Sequence, residues 1–289
     1  IQPILVLGFV AKEQYADMIT HHIMPAIFTY SMAKDFDAVA NSMHTVADVH
    51  IKLDTGMNRI GVRADEAINF IKKVQSCDFL ELQGIFTHLA AAEELDKAKE
   101  QIEKWNSVID NIDTKGLLLH ILNTAGTICY DVPNSNMRRV GIALYGLYPD
   151  FPEGVNFRMP KLKQLISLKG RIVNIHTAKD GEGISYCHTY TAKGERTIAT
   201  VPLGYADGIP RLLSNKITGR LNGVEVPQVG NITMDQMMFD ITGVKATTGD
   251  VITLLDEDKS IDEWAKILHT INYELTCRLK VRLPRVYTR

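Results

Sequence analysis

Apolar residues in the first half of the chain alternate between short runs and segments with helical spacing. The runs predict strands, at Ile4–Leu7, Ala26–Thr29, Val49–Leu53, Leu82–Thr87, Leu117–Ile121 and Val140–Leu144. The segments between them predict helices, at Lys12–Thr20, Ala33–Ser42, Ala64–Gln75 and Leu95–Ile109. Several of the strands are apolar throughout, and such strands alternating with helices are typical of a parallel sheet covered on both faces.

Two architectures place helices on both faces of a parallel sheet: the open doubly wound sheet and the closed eight-stranded barrel. The chain has no Gly-rich strand–turn–helix fingerprint, which disfavours a dinucleotide-binding sheet. We predict a TIM-like α/β barrel of which six of the eight strands lie in this sequence. The chain begins inside a strand, so the alternatives are a fragment of a barrel and an open sheet.

The second half has a different pattern, in which shorter apolar runs are separated by Gly, Asn or Asp. This pattern predicts a mainly-β domain, with runs at Lys163–Ile175, Gly183–Tyr190, Thr197–Pro202, Ile217–Leu221, Val224–Val229, Met237–Asp240 and Val251–Leu255. One helix is predicted at Ile261–Leu268, after the capping residue Ser260. The Pro-rich segment Tyr148–Gly154 separates the halves, so we predict a barrel domain at residues 1–150 and a β-domain at 160–289.

Composition and charge exclude several classes of partner. The 289 residues include 32 Lys and Arg against 34 Asp and Glu, with a net charge of −2 and no basic stripe, so no nucleic acid is expected. No apolar run approaches the roughly 18–20 residues of a spanning helix, so no membrane is expected. The four cysteines form no CxxC pair, which favours reduced thiols in the cytoplasm over disulfides or a zinc site. No metal is predicted.

Polar residues follow predicted strands at three places in the first half. Lys52–Arg59 ends one strand, His88 follows another, and Arg138 and Arg139 precede Gly141. Active sites of parallel barrels lie at the carboxyl ends of strands, although a salt bridge, a core histidine and solvated arginines would explain the same residues. Glycine at position 141 would let a ligand approach the backbone, where free N–H groups could hold a phosphate.

Three turn-rich strings in the second half contain further polar groups, at Gly183–Tyr186, Pro202–Gly208 and Gly230–Gln236. Each string is also consistent with an ordinary turn. A tyrosine such as Tyr186 acts as a base only where a cation or hydrogen bonds lower its pKa.

In this order, the strings resemble those of the bacterial alanine racemases, pyridoxal-phosphate enzymes in which a barrel is followed by a β-domain. The resemblance runs from about Ile4 to Arg285 and rests on Lys52–Gly61, Gly84–His88, Arg139–Gly146, Gly204–Gly208, Met234–Gln236 and Leu283–Tyr287. It implies interconversion of L-alanine and D-alanine through a pyridoxal-phosphate aldimine with two-base proton exchange, which supplies D-alanine for peptidoglycan. It also implies a homodimer with shared active sites.

The resemblance implies roles for residues around the cofactor ring. Tyr186 resembles the catalytic tyrosine that exchanges the α-proton on one face of the substrate. Arg139 resembles the arginine that faces the pyridine nitrogen, and His88 the residue that hydrogen-bonds this arginine. Arg59 resembles the arginine near the phenolic oxygen, which also contacts substrate. Lys52 matches a lysine that is often carbamylated, and the resulting anion would hold Arg59.

The resemblance also implies a phosphate site and a substrate site. The phosphate residues are Asn123, Thr124 and the N–H groups of Gly141 and Ile142, with Thr124 at a position where the family usually has Ser. The substrate residues are Tyr205, Met234 and Asp235.

Two departures and one absence distinguish the chain from the family pattern. Val281 stands where many members have a phosphate-contacting Tyr, and Thr233 where Cys is common. The string that carries the family's Schiff-base lysine does not occur, so we expect an amino-terminal portion to be lacking and residues 1–289 alone to be nearly inactive. The alternative functions are a serine or broad-specificity racemase and a non-catalytic racemase-like fragment.

Overall fold

A computed structural model describes residues 2–153 and 160–288. They form two compact units, one within Ile1–Leu144 and Tyr148–Lys161 and the other within Tyr145–Leu147 and Leu162–Arg289. Gly154, at the end of the segment predicted to separate the two halves, lies outside the described residues.

The first unit is a parallel sheet with helices between its strands. The strands are β1 (Ile4–Val6), β2 (Ile23–Ile27), β3 (Ala47–Asp54), β4 (Val62–Arg63), β5 (Leu80–Phe86) and β6 (Leu118–His120). They lie in the order β1-β2-β3-β5-β6, with β4 beside β3 and every pair parallel. The helices are α1 (Tyr15–Thr20), α2 (Tyr30–Ser42), α3 (Ala64–Gln75), α4 (Leu95–Ile109) and α5 (Thr124–Cys129). The parallel, barrel-type architecture predicted for this half is confirmed.

Strand β3 is buried on both faces, and its two faces differ in chemistry. Val49, Ile51 and Leu53 belong to the apolar core of the unit. Successive side chains of a strand point to opposite faces, so His50 and Lys52 share the other face, and both are buried as well. Burial of polar side chains requires partners for them, which makes this second face the place to look for chemistry.

The strand predicted at Val140–Leu144 is wrong. Its first residues form no regular element, and Ile142–Tyr145 is a 3₁₀ helix. The Arg139 amide donates to the Leu122 carbonyl, and the Gly141 amide donates to the Thr124 hydroxyl. These single contacts take up main-chain donors that a strand would place in a ladder, and β4 is the sixth strand of the sheet instead.

The second unit is mainly antiparallel β-structure, as predicted. Its strands are β7 (Leu168–Arg171), β8 (Asn174–Ala178), β9 (Gly183–Ile184), β10 (Tyr190–Thr191), β11 (Arg196–Val201), β12 (Thr218–Leu221), β13 (Val224–Val229), β14 (Met237–Asp240) and β15 (Val251–Leu255). Seven of them form one sheet in the order β7-β15-β12-β13-β14-β11-β8, and β9 pairs with β10.

Two helices complete the second unit. Helix α6 (Ile261–Leu268) has the predicted bounds, and the Ser260 side chain accepts from the Asp262 amide at its start. Helix α7 (Asn272–Arg278) is not predicted by the sequence pattern. The run Lys163–Ile175 contains two strands rather than one, because the chain turns between β7 and β8. Among the described residues, no helix has both the length and the apolar character needed to cross a membrane.

Candidate active site

The guanidinium of Arg139 is the centre of a polar cluster in the first unit. Its Nη1 donates to the His120 ring at 2.8 Å and to the His120 carbonyl at 2.6 Å. Its Nη2 donates to the Thr87 carbonyl at 2.6 Å and lies 3.4 Å from both His88 Nδ1 and the Ile121 carbonyl. All of these acceptors are uncharged. Within the described part of the chain Arg139 has no carboxylate partner, and its Nε–H donates to no protein acceptor.

Burial sets the protonation states in this cluster. It lowers the pKa of Arg139 to about 10, so the guanidinium stays charged at neutral pH. Burial and then the charge of Arg139 lower the pKa of His88 to about 4. His88 is therefore neutral and can accept a hydrogen bond from the arginine at its Nδ1 atom.

Two buried histidines that the sequence analysis did not single out extend this cluster. His120 Nε2 lies 3.0 Å from His50 Nδ1, and the His120 ring stacks on Phe86 at 4.8 Å between centroids. His120 is 0 % and His50 1 % exposed. A signal for His50 exists in the sequence, since it lies two residues before Lys52 and thus on the same face of β3.

Lys52 is a buried cation without an anionic partner. It is 4 % exposed, and its ammonium nitrogen lies 4.8 Å above the Phe86 ring. Burial, followed by the charges of Arg139 and Arg59, lowers the pKa of Lys52 to about 8. No carboxylate among residues 2–153 and 160–288 pairs with it. Arg59 is exposed on the loop that follows β3.

The predicted phosphate residues lie together at the start of α5. Asn123 caps the helix by accepting from the Gly126 amide at 2.9 Å. Thr124 Oγ1 accepts from the Gly141 amide at 2.9 Å. The N–H of Gly141, which the sequence predicts to hold a phosphate, here donates to the buried Thr124 hydroxyl, which keeps its own O–H as a donor. The phosphate role of Gly141 stays a prediction.

Space for a ligand remains beside Gly141. A Cβ atom built on this glycine meets no atom within 4 Å. The amide of Ile142, at the start of the 3₁₀ helix, is next along the chain. A hydroxyl such as that of Thr124, hydrogen-bonded to the Gly141 amide, suits a phosphate oxygen as a donor.

In the second unit, Tyr186 lies in a short left-handed stretch after β9. Ser185 and Cys187 have positive φ angles of 64° and 61°, which non-glycine residues adopt at a cost. Asn231 stabilises this conformation, since its side chain donates to the Tyr186 carbonyl at 2.7 Å and its carbonyl accepts from the Ser185 hydroxyl at 2.7 Å. The Tyr186 side chain is 72 % exposed.

Tyr205 and Met234 are joined through their backbones. The Tyr205 amide donates to the Thr233 carbonyl and the Ala206 amide to the Met234 carbonyl, both at 3.0 Å. Gly204 makes this approach possible, because a Cβ there would lie 2.3 Å from the Thr233 carbonyl oxygen.

Arg282 is not among the residues selected from the sequence. It pairs with both Asp235 and Asp207, and so connects Asp235 to the segment that contains Tyr205. Its Nε bonds to the buried carboxylate of Asp207 at 2.8 Å and its Nη2 to Asp235 at 2.6 Å. Val281 beside it is exposed.

Comparison with known proteins gives the family. Residues 1–149 match the family described as alanine racemase, N-terminal domain, and residues 165–287 match alanine racemase, C-terminal domain. The chain belongs to the alanine racemase family. The alanine racemase of Methanococcus maripaludis is 36% identical over 296 residues, which cover 99% of this chain and 79% of that protein.

Solved structures agree with this membership. An alanine racemase from Clostridium difficile 630 matches with a TM-score of 0.91 at 35% identity, covering 100% of this chain and 77% of that one. The alanine racemase from E. faecalis matches with a TM-score of 0.87 at 31% identity, covering 99% and 78%. The family, the racemase class of enzyme and the fold predicted from the sequence are therefore confirmed.

Proposed function

We propose that this member of the alanine racemase family interconverts L-alanine and D-alanine with pyridoxal phosphate bound in its first unit. The observation that best supports this is Arg139, a charged guanidinium whose four terminal N–H groups face uncharged protein acceptors. The remaining Nε–H is suited to a ring nitrogen that accepts a hydrogen bond. Because arginine holds its proton strongly, it donates this bond without transferring the proton.

The donor set of the first unit fits a phosphorylated pyridine. The Thr124 hydroxyl and the Ile142 amide would hold the phosphate, with open space in front of Gly141. Asn123 would fix Thr124 by capping its helix. When bound, pyridoxal phosphate withdraws electrons from the α-carbon of an attached amino acid and makes its α-proton acidic.

The residues around Arg139 would orient the ring. His88 holds the guanidinium through its neutral Nδ1 atom, and Arg59, on the loop that follows β3, would reach the phenolic oxygen of the cofactor and the substrate. An unprotonated Lys52 amine would add carbon dioxide and release one proton, giving a carbamate anion that pairs with Arg59. The lowered pKa of Lys52, about 8, and its lack of an anionic partner in the described chain support this modification.

The second unit would supply the proton-handling and substrate groups. Tyr186 would remove and return the α-proton on one face of the substrate, while Met234, Tyr205 and Asp235 would contact the substrate. These side chains are exposed, and we expect them to complete the site of a second copy in a cytoplasmic homodimer. Light scattering should give twice the mass of one chain, and an active monomer would contradict the shared site.

The activity is tested with the protein as encoded by its gene, supplied with pyridoxal phosphate. L-alanine should yield D-alanine on a chiral column, and D-alanine should yield the L-form. L-serine in a parallel reaction tests the broad-specificity alternative. A protein that binds the cofactor but racemises neither amino acid would contradict the proposal.

The phosphate site is tested by Gly141→Ala, which fills the open space without straining the protein. The cofactor Kd should rise by about tenfold, or about 1.4 kcal/mol. Gly8→Ala is the matched control, because a Cβ at Gly8 also meets no atom within 4 Å. An equal Kd in both variants would remove Gly141 from the site.

A further inference from the structure

The hydrogen bonds of Arg139 continue into a chain of two histidines inside the first unit. Arg139 Nη1 lies 2.8 Å from His120 Nδ1, and His120 Nε2 lies 3.0 Å from His50 Nδ1. The chain ends at His50 Nε2, a buried atom with no hydrogen-bond partner among the described residues. Such an orphaned nitrogen is unusual in a protein interior.

The chemistry of the donors allows one order of protons along this chain. Arginine only donates, so His120 Nδ1 must accept. A neutral imidazole carries one proton, which therefore lies on His120 Nε2 and is donated to His50 Nδ1. The proton of His50 then lies on Nε2, where no described atom accepts it.

Other protonation states conflict with the geometry. A second proton on His120 would place an N–H against an N–H of Arg139, and would add a positive charge beside the guanidinium. A proton on His50 Nδ1 would require His120 to accept at both nitrogens, which would make it an anion. Burial, followed by the charge of Arg139, also lowers the pKa of His120 to about 2.

The sheet makes room for the His50 ring at Gly84 of the neighbouring strand β5. A Cβ atom on Gly84 would lie 2.5 Å from His50 Cε1 and 2.6 Å from its Nδ1. Gly84 of β5 therefore makes room for this ring and for the Leu118 carbonyl, which the Cβ would also approach to 2.5 Å. An apolar side chain at position 50 would leave the buried Nε2–H of His120 without an acceptor, so His50 satisfies His120 while one nitrogen of its own stays unsatisfied.

We propose that His120 and His50 are positioning residues, which hold Arg139 by a fixed order of protons so that its Nε–H alone stays free. This inference rests on the proposed role of Arg139 at the ring nitrogen. It assigns His120 the task of orienting the guanidinium and His50 the task of fixing the tautomer of His120.

The proton order is tested without any assay of activity. Two-bond ¹H–¹⁵N spectra of the protein labelled at its nine histidines distinguish protonated from bare ring nitrogens. His120→Phe and His50→Phe assign the two signals. At neutral pH both rings should carry their proton on Nε2, and a proton on Nδ1 of either ring would overturn the proposal even in an active enzyme.

The positioning role is tested by kinetics of the cofactor-loaded protein as encoded by its gene. His120→Phe should lower kcat by about tenfold with KM little changed, and His120→Asn, which restores an acceptor near the Nδ1 position, should recover part of the loss. His176→Phe, which alters an exposed histidine of β8, is the control. An unchanged kcat in His120→Phe would overturn the positioning role.

Arg139→Lys, measured in parallel, separates this failure from a failure of the proposed function. If Arg139→Lys lowers kcat but His120→Phe does not, Arg139 acts without the histidines. If neither variant changes kcat, the proposed role of Arg139 fails first, while the tautomer spectra still decide the order of protons.

Discussion

The two units hold their candidate residues in opposite ways. In the first unit Arg139, His88 and Lys52 are wholly or partly buried, and neighbouring side chains and carbonyls determine their charge and orientation. In the second unit Tyr186 and Met234 are 72 % and 54 % exposed, and only the backbone beneath them is fixed. The fold of the first unit therefore determines the protonation states of its candidate residues. In the second unit the chemistry of the exposed side chains depends on the molecule that binds against them.

This difference predicts which substitutions change stability and which change activity. Removing a buried group leaves partners unsatisfied and lowers stability, whereas removing an exposed hydroxyl leaves the fold intact. A loss of activity without a loss of stability is thus expected for the exposed side chains of the second unit. The substitutions that follow test this contrast.

Tyr186→Phe should have the largest effect. The hydroxyl of Tyr186 contacts no acceptor among the described residues, so stability should change by less than about 0.5 kcal/mol. Loss of one of two acid–base groups should lower the racemisation rate by about 10²–10⁴-fold. Chiral chromatography measures the rate, and Tyr30→Phe in α2 is the control. Retention of most of the rate would show that the proton is handled by another group.

Arg139→Met tests the expectation that removing a buried group of the first unit lowers stability. It leaves the Thr87 carbonyl and the His120 ring without their donor, while the His120 carbonyl keeps only the Thr87 amide among the described residues, so the free energy of unfolding should fall by about 2–4 kcal/mol. Arg138→Met is the matched control, because Arg138 is exposed and, within the described part of the chain, donates only to Ser135. Urea unfolding followed by circular dichroism measures both, and equal losses would mean that the cluster does not stabilise the unit.

The sequence predicts the helices better than the site's interior. Helices α3 and α4 have the predicted bounds, because one apolar stripe at helical spacing determines where each begins and ends. The run Val140–Leu144 is as apolar as a strand but forms no ladder with a described strand, because the Arg139 and Gly141 amides donate to single acceptors instead. A one-dimensional pattern contains no information about pairing.

The site residues show the same limit. Arg139 and His88 could be selected because each belongs to a string that resembles a family motif, and Thr124 because it occupies a position where the family usually has Ser. His120 could not, because it is a single polar residue in the apolar run Leu117–Ile121, and its bond to Arg139 depends on how the chain returns to the sheet. Arg282 was missed because its partner Asp207 is 75 positions away, and only the folded chain joins them.

Lys52→Met should have a pH-dependent effect of the opposite sign, because Lys52 leaves no anionic partner unsatisfied among the described residues. The pKa of Lys52 is about 8 in the folded chain against an ordinary value of 10.5. Below pH 8 Lys52 is protonated in both the folded and the unfolded state, so the folded state bears the full free-energy cost of burying the ammonium. Between these two values only the unfolded state binds the proton, so stability rises with pH. The variant should lack this rise and be more stable at neutral pH by roughly 3 kcal/mol.

The measurement is urea unfolding between neutral and alkaline pH in buffer free of carbon dioxide. Lys72→Met, at an exposed position of α3, is the control and should change neither stability nor its pH dependence. Added bicarbonate should stabilise the wild type at neutral pH and leave Lys52→Met unchanged, because only the wild type can form the carbamate. A wild type that does not respond to bicarbonate would contradict the modification.

Arg282→Gln should have the smallest effect and tests whether any buried charge supports the exposed residues of the second unit. Asp207 is buried and would keep only the Gly204 amide, 2.8 Å from its Oδ2 atom. Stability should fall, because the buried Asp207 carboxylate loses its cation. Arg278→Gln is the matched control, since among the described residues Arg278 pairs with the exposed Glu274 one helical turn away, and its loss of stability should be clearly smaller. If urea unfolding gives the same loss of stability for both variants, the ion pairs of Arg282 do not stabilise the segments that carry Tyr205, Met234 and Asp235. Main-chain hydrogen bonds alone would then hold these segments, and the second unit would differ from the first even more clearly.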